Sequence, residues 1–229
     1  MNLESFEKYN SQLPYSYAFG AFVTIELLKN RPQDVLCVFI DKKFQNQEVL
    51  NSILSFCKNE KIPVKWDQKT INKIRAKENC LIIGVFLKKI YPVDGKRQVL
   101  LKNIQDEGTL GTIIRSIRGF EFNQLVLIDS QIDFFHPHVI RASMGSFFSV
   151  SISIYHSLNA YKQDFNNQPI YFCHKNGLLS LNQMEKDLTP LSLYFNENSF
   201  NENKNSIQIN DQCSLENNIN IVLFHFYSS

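Results

Sequence analysis

Apolar residues in this chain follow two spacings, and the switches between them mark out elements. Phe19, Phe22, Val23, Ile25, Leu27 and Leu28 give one broad apolar face and predict a helix over 17–29, ended by Arg31-Pro32. The β-branched run 34–40 (DVLCVFI) predicts a buried strand. Val49, Leu50, Ile53, Leu54 and Phe56 stand at helical spacing within 47–59. A short strand at 62–66, a basic helix over 68–77 and a strand over 80–87 follow. This α-β-α-β-α-β order predicts a small three-layer domain over 1–90. Residues 91–98 hold Pro92, Gly95 and several charges, as a linker does.

The second half repeats the alternation. A strand is predicted over 99–103, a Gly-containing loop over 105–111, a helix over 112–120 and a strand over 125–128. Pro137 suits a helix start and Gly145 its C-terminal stop. Strands are predicted over 147–154, 169–173 and 191–195, with a helix near 157–165. The apolar element 219–227 fits helix or strand equally well. Strands alternating with helices predict an α/β domain with a parallel sheet over 99–229.

Composition narrows the function classes. The longest apolar run, 80–87, is too short to span a bilayer, and the first residues carry no basic segment followed by an apolar one. Five cysteines stand without a C-x-x-C pair, which predicts a reducing compartment, the cytoplasm, and no structural zinc. Charge is uneven. Residues 1–97 hold 16 Lys and Arg against 10 Asp and Glu, whereas 98–229 hold 8 against 12. Lys58, Lys61, Lys65, Lys69, Lys73, Arg75 and Lys77 concentrate the excess. They read either as a phosphate-contacting surface or as an ordinary solvated helix face.

Two segments carry chemistry. The first, 103–115 (NIQDEGTLGTIIR), lies between a predicted strand and a predicted helix, as a nucleotide-binding loop would. It has G-x-x-G in place of the dinucleotide fingerprint, and Asp106 and Glu107 disfavour a pyrophosphate there. The second, 133–146, contains His136-Pro137-His138-Val139-Ile140-Arg141-Ala142-Ser143-Met144-Gly145-Ser146. Its two histidines have no further His or Cys close in sequence, so turn or capping use is expected and not metal.

Together these segments resemble the first two motifs of the SpoU (TrmH-type) family of RNA ribose methyltransferases. The usual first motif runs D-P-x-N-x-G-x-x-x-R. Asp106, Gly108, Gly111 and Arg115 fit it position by position, with Glu107 in place of Pro and Thr109 in place of Asn. The second segment is similar to N-P-K-x-x-R-A-S-x-G-(A/S). A third motif is degraded: Leu193-Tyr194-Phe195-Asn196-Glu197-Asn198, then Ser206-Ile207-Gln208-Ile209, then Ser214-Leu215-Glu216-Asn217, with Asn196 where the first Gly is usual. Asn tolerates positive φ, so the loop could persist.

The resemblance implies a SPOUT-type parallel sheet with a C-terminal trefoil knot over 99–229, preceded by an L30e-like RNA-binding domain over 1–90. It implies S-adenosylmethionine as cofactor, methylation of a ribose 2′-hydroxyl with ribosomal RNA favoured over tRNA, and a homodimer that builds the active site at its interface. Arg115 is then catalytic. Asn196, Ile207 and Leu215 contact the cofactor. Arg141 and Ser143 lie near the dimer interface and cofactor site. Arg115, Arg141, Lys69 and Lys73 meet RNA. The missing glycines and Thr109 leave a second reading open, an RNA-binding relative that has lost methyl transfer.

Overall fold

A computed structural model describes residues 5–75, 77–185, 190–196, 205–210 and 212–227. In chain order its elements are β1 (Tyr15–Phe19), α1 (Ala21–Asn30), β2 (Val35–Ile40), α2 (Gln47–Asn59), β3 (Val64–Lys65), α3 (Gln68–Ile74), β4 (Ile82–Leu87), β5 (Arg97–Lys102), α4 (Glu107–Gly119), β6 (Gln124–Ile128), α5 (Pro137–Ala142), β7 (Ser151–Tyr155), α6 (Leu158–Asp164), β8 (Ile170–His174), β9 (Leu191–Phe195), β10 (Ser206–Gln208) and α7 (Leu215–Tyr227). They form two compact units, 1–89 with 133–149, and 90–132 with 150–229. The first unit therefore includes 133–149, the segment that holds the second motif, whereas the sequence suggests a division at 91–98 alone.

The first unit holds a four-stranded sheet in the order β1-β4-β2-β3. β4 runs antiparallel to β1 and β2, and β3 adds parallel to β2 at the edge. The expected helix over 17–29 is split: Tyr15–Phe19 is a strand, and α1 begins after Gly20, whose φ of 100° no helix accepts. Tyr15 and Tyr17 explain the change, because both rings are buried in one aromatic cluster with Phe6 and Phe39. Leu28, Val38, Ile53 and Cys57 form a second cluster beneath α2. A Cβ on Gly84 would stand 2.8 Å from Leu27, so glycine lets α1 lie close on β4.

α5 belongs to this unit. The Ser16 hydroxyl donates to the Phe135 carbonyl at 2.6 Å, and Arg31 donates to the Phe148 and Phe147 carbonyls at 2.8 and 3.1 Å. α5 ends sooner than a stop at Gly145 predicts: Met144, at φ 52°, is the first left-handed residue, its N–H donating to the Arg141 carbonyl at 3.0 Å, and Gly145 follows at φ 79°. Residues 146–149 form a 3-10 turn, not the start of a strand, because Phe147 and Phe148 pack with Phe86, Phe134 and Phe135.

The second unit is a six-stranded, wholly parallel sheet in the order β10-β8-β9-β5-β6-β7. A central parallel strand is covered on both faces, so its sequence is a near-continuous apolar run. β6 (QLVLI) and β9 (LSLYF) are buried at every position, whereas the edge strand β7 is only partly buried. Each fully buried Leu, Ile or Val side chain contributes roughly 1.5–3 kcal/mol. The element at 219–227 resolves as a helix, α7, which starts at Leu215 and buries Ile219, Val222, Leu223 and Phe226. Among the described residues, no helix is long and apolar enough to cross a membrane.

Candidate active site

The strand order of the second unit reverses at one place. From β5 the chain steps outward through β6 and β7, then returns to lay β8 and β9 on the other side. In open α/β sheets the crevice beyond the carboxyl ends of the two strands flanking such a reversal is where ligands bind. β5 and β9 are those strands, paired from Arg97↔Leu191 to Leu101↔Phe195. A cleft of about 740 Å3 opens beyond their ends, lined by residues 101–106, Thr109, Phe195, Asn196 and the start of α7 at 214–216.

Local chemistry explains each wall. Asn103 leaves β5 in the left-handed region, φ 52°, and its N–H still donates to the Ile128 carbonyl at 3.0 Å. The Ser130 hydroxyl holds the Ile104 carbonyl at 2.9 Å. Asp106 is the N-cap of α4, accepting from the Thr109 N–H at 2.7 Å, so the helix starts five residues earlier than expected. The Gly-containing stretch expected to be a loop is thus largely the first turns of α4. Opposite, the Ser214 side chain accepts from the Asn217 N–H at 3.2 Å at the start of α7. Buried Asn218 secures the segment before it, donating to the Asn210 carbonyl at 2.8 Å and accepting from the Asn210 N–H at 3.1 Å. The Thr112 hydroxyl donates to the Glu216 carboxylate, which ties α4 to α7 beside the cleft. A smaller cavity of about 250 Å3 adjoins; Asn196 and Leu215 line both, and His174, Ile209 and Cys213 line the smaller.

The residues expected from sequence fall in different places. Asn196 and Leu215 meet in the cleft wall. Asn196 is not among the residues with left-handed backbone; Asn103 takes that conformation instead. Ile207 is wholly buried in β10, paired with Cys173, and its side chain is core. Glu197 and Asn198 lie outside the described residues. Arg115 is exposed on α4, six residues past Thr109, about 9 Å farther along the axis and about 120° round it. It does not line the cleft of its own chain. Arg141, Lys69 and Lys73 are exposed on the first unit. Arg141 lies close enough to Cys80 for its charge to moderate that thiol, which burial pushes up to about 11.

Ser143 is buried in the first unit. It donates to the Ile140 carbonyl at 2.8 Å and accepts from the Phe147 N–H at 3.3 Å, a structural role. His136 caps α5, accepting from the His138 N–H at 3.3 Å. No cluster of three His, Cys, Asp or Glu suited to a metal occurs among the described residues. Sequence reasoning missed Asn103, Ile104, Ser214 and Glu216 as lining residues. Asp106 and Ser214 each carry the signature of an N-cap at a helix start, which would have pointed to them.

The donor set suits a small, flat, cationic molecule. Leu101, Ile104, Phe195 and Leu215 offer apolar contact to an aromatic ring, Asn103, Asn196 and Ser214 offer hydrogen bonds, and Asp106 and Glu216 outweigh the one cation of the lining, Lys102. The volume lies inside the roughly 300–1,000 Å3 typical of ligand pockets.

A parallel sheet with such a cleft at its strand reversal defines the second unit as an α/β ligand-binding domain. Residues 96–195 match the SpoU rRNA Methylase family. The rRNA methyltransferase 3, mitochondrial, of Mus musculus is 35% identical over 81 residues, covering 31% of this chain and 19% of that protein. Its Homo sapiens counterpart is 37% identical over 54 residues, covering 24% and 13%. The matches thus span a fifth or less of those relatives' length. Among solved structures, an AdoMet-bound rRNA methyltransferase from Sinorhizobium meliloti aligns with a TM-score of 0.72 at 18% identity, covering 93% of this chain and 87% of that one. The SpoU methyltransferase AviRb from Streptomyces viridochromogenes, in complex with AdoMet, gives 0.72 at 16% identity, covering 93% and 89%. A structure described as an RNA 2′-O ribose methyltransferase gives 0.69 at 13% identity, covering 93% and 88%. At these identities the likeness is one of fold.

Proposed function

We propose that this chain is an S-adenosylmethionine-dependent RNA methyltransferase acting on a ribose 2′-hydroxyl, with ribosomal RNA as its substrate class. The observation that carries this reading is the cleft at the β5/β9 reversal within a domain that matches the SpoU family, with the donor set described above. S-adenosylmethionine, when bound, supplies an electrophilic methyl group on a sulfonium. Leu101, Ile104, Phe195 and Leu215 would pack its adenine, and Asp106 and Glu216 would complement its positive charge.

A ribose hydroxyl is a poor nucleophile at neutral pH and needs positioning or electrostatic help. Arg115 provides it in this reading. A guanidinium stays charged, so Arg115 is not the proton acceptor. It clamps a phosphate beside the reacting ribose and lowers the hydroxyl's pKa, and the proton leaves to water. Among the described residues no hydrogen bond or ion pair holds Arg115, which leaves the guanidinium available.

Its position away from its own chain's cleft favours a site completed by a second copy. Ile221, Phe224 and Tyr227 on α7 expose an apolar face that such a copy could cover. In that homodimer the knot implied by the family would frame each cleft. RNA would be met by Arg115, Arg141, Lys69 and Lys73. Five free cysteines suit a reducing compartment, and we place the protein in the cytoplasm; fractionation of source cells tests that against the mitochondrion named for its relatives.

The test is transfer of a labelled methyl group to ribosomal RNA, read as resistance of one phosphodiester to alkaline cleavage. Arg115→Ala should lower the rate by about 10²–10³-fold with cofactor binding intact, and Arg115→Lys by less. Sedimentation should show a dimer; full activity in a monomer would sink the shared site. Thr109, standing where the family has Asn, favours one rival, an RNA-binding relative without transfer. RNA binding with no cofactor uptake would establish that rival.

A further inference from the structure

We propose that Trp66 is a stacking platform for one unpaired RNA base, with Lys69 and Lys73 holding the phosphates beside it. This deepens, and rests on, the RNA-directed function proposed above.

Trp66 is the only tryptophan in the chain, and it is 46% exposed. It directly follows β3, the edge strand of the first unit's sheet, and precedes Asp67, the N-cap of α3. Successive residues leaving a strand point to opposite sides. Here the usual assignment is inverted. The ammonium of Lys65 folds over the Phe6 and Phe39 rings, 5.6 and 5.9 Å from their centroids, while the indole beside it faces water. Trp66 belongs to neither apolar cluster of its unit, and it makes no hydrogen bond or ring contact with the described residues. Packing therefore gives no reason for a large aromatic at this place, whereas tryptophan is on average highly buried.

The surroundings indicate the ligand. From residue 58 to 77 the chain carries seven Lys or Arg against two Asp or Glu. Lys69 and Lys73 are both exposed and stand one turn apart on α3, just past the indole. The nearest carboxylate in sequence, Asp67, is turned into the helix. It accepts from the N–H groups of Lys69 and Thr70 at 3.0 and 3.1 Å and from the Thr70 hydroxyl at 2.6 Å. An exposed π-face beside mobile ammonium groups is the pairing that single-stranded nucleic acid selects: the base stacks and the phosphates meet the cations. A duplex keeps its bases stacked on one another and cannot offer one. A second copy of this chain would bring the same lysines face to face, so self-association through this patch is disfavoured.

The single tryptophan makes the test direct. A labelled uridine-rich 12-mer is titrated into the full chain, with binding read by anisotropy of the label and separately by Trp66 emission; the matching duplex is the comparison. The expected result is quenched indole emission with the single strand and little change with the duplex. Trp66→Ala should weaken single-strand binding about tenfold, and Trp66→Phe should recover part of it. Lys69→Gln with Lys73→Gln should flatten the salt dependence. Anisotropy showing binding, with emission unchanged and Trp66→Ala binding as tightly as the parent, would overturn the platform and leave the RNA reading standing. No binding of either RNA by a folded parent protein would overturn both.

Discussion

Asp106 shows how one residue serves fold and site together. Its side chain caps α4, and its carboxylate also lines the cleft. Removing a cap of this kind costs about 1 kcal/mol, whereas Asn caps a helix as well as Asp. The two roles therefore separate. Asp106→Ala should lower both thermal stability and cofactor affinity. Asp106→Asn should keep the stability, read by urea denaturation, and still weaken a cationic cofactor by roughly three- to tenfold. Equal stability losses in the two variants would show that the charge, and not the cap, holds the helix. Ser143 makes the opposite point. Its place in the second motif suggested a site residue, but its hydroxyl is used inside the α5 turn. Sequence spacing reports that a serine belongs in such a motif; which atoms its hydroxyl meets is decided by the fold.

Elements were legible in proportion to how local their determinants are. α2 and β9 match the expected bounds because helical spacing in one and a short run interrupted only by Ser192 in the other leave little choice. β1 escapes a reading of spacing because the burial of Tyr15 and Tyr17 depends on a cluster that includes Phe39, a residue distant in sequence. The glycines of α4 point to a loop and so to a late helix start, while the cap at Asp106 fixes the true one. The apolar residues of α7 fit either period, and packing on α4 settles it. Of the candidate site, Asn196 and Leu215 are legible as motif positions that line the cleft, while the burial of the Ile207 side chain in β10 is a tertiary fact that motif spacing does not report.

At the other end of the same sheet a buried polar network joins three strands to α6. The Tyr161 hydroxyl donates to Gln98, lies 2.8 Å from the Ser192 hydroxyl, and through Gln98 reaches Gln124 at 3.1 Å. Tyr161→Phe leaves Gln98 buried and underbonded, at a cost of about 1–3 kcal/mol. Methyl transfer at a temperature where the variant stays folded should be unchanged, because the network lies away from the cleft. A loss of activity without loss of stability would refute this division of labour.

For the whole molecule, both units hide groups that resist ionisation. In the first, burial pushes the thiols of Cys37 and Cys57 up to about 12 and about 11. In the second, burial pushes Tyr161 up to about 12, and burial with the nearby Asp129 charge does the same for Tyr194. Folded values above unfolded ones mean that the unfolded chain releases its protons first. This stabilisation is complete below about pH 9 and is lost as pH rises through 11–12. The urea midpoint should hold steady from pH 7 to 8.5 and fall by pH 10.5; a flat profile to pH 11 would contradict the burial of these groups. The function proposed for the chain depends more narrowly on the cleft at the β5/β9 reversal. Calorimetric titration with S-adenosylhomocysteine tests it most directly, with Leu215→Asp as the control, since an acidic residue in the first turn of α7 is compatible with the helix. Saturable binding at one site per chain, abolished by Leu215→Asp in a folded protein, is the predicted result. No binding by the folded parent, with or without RNA, would contradict the assignment of this cleft to the cofactor.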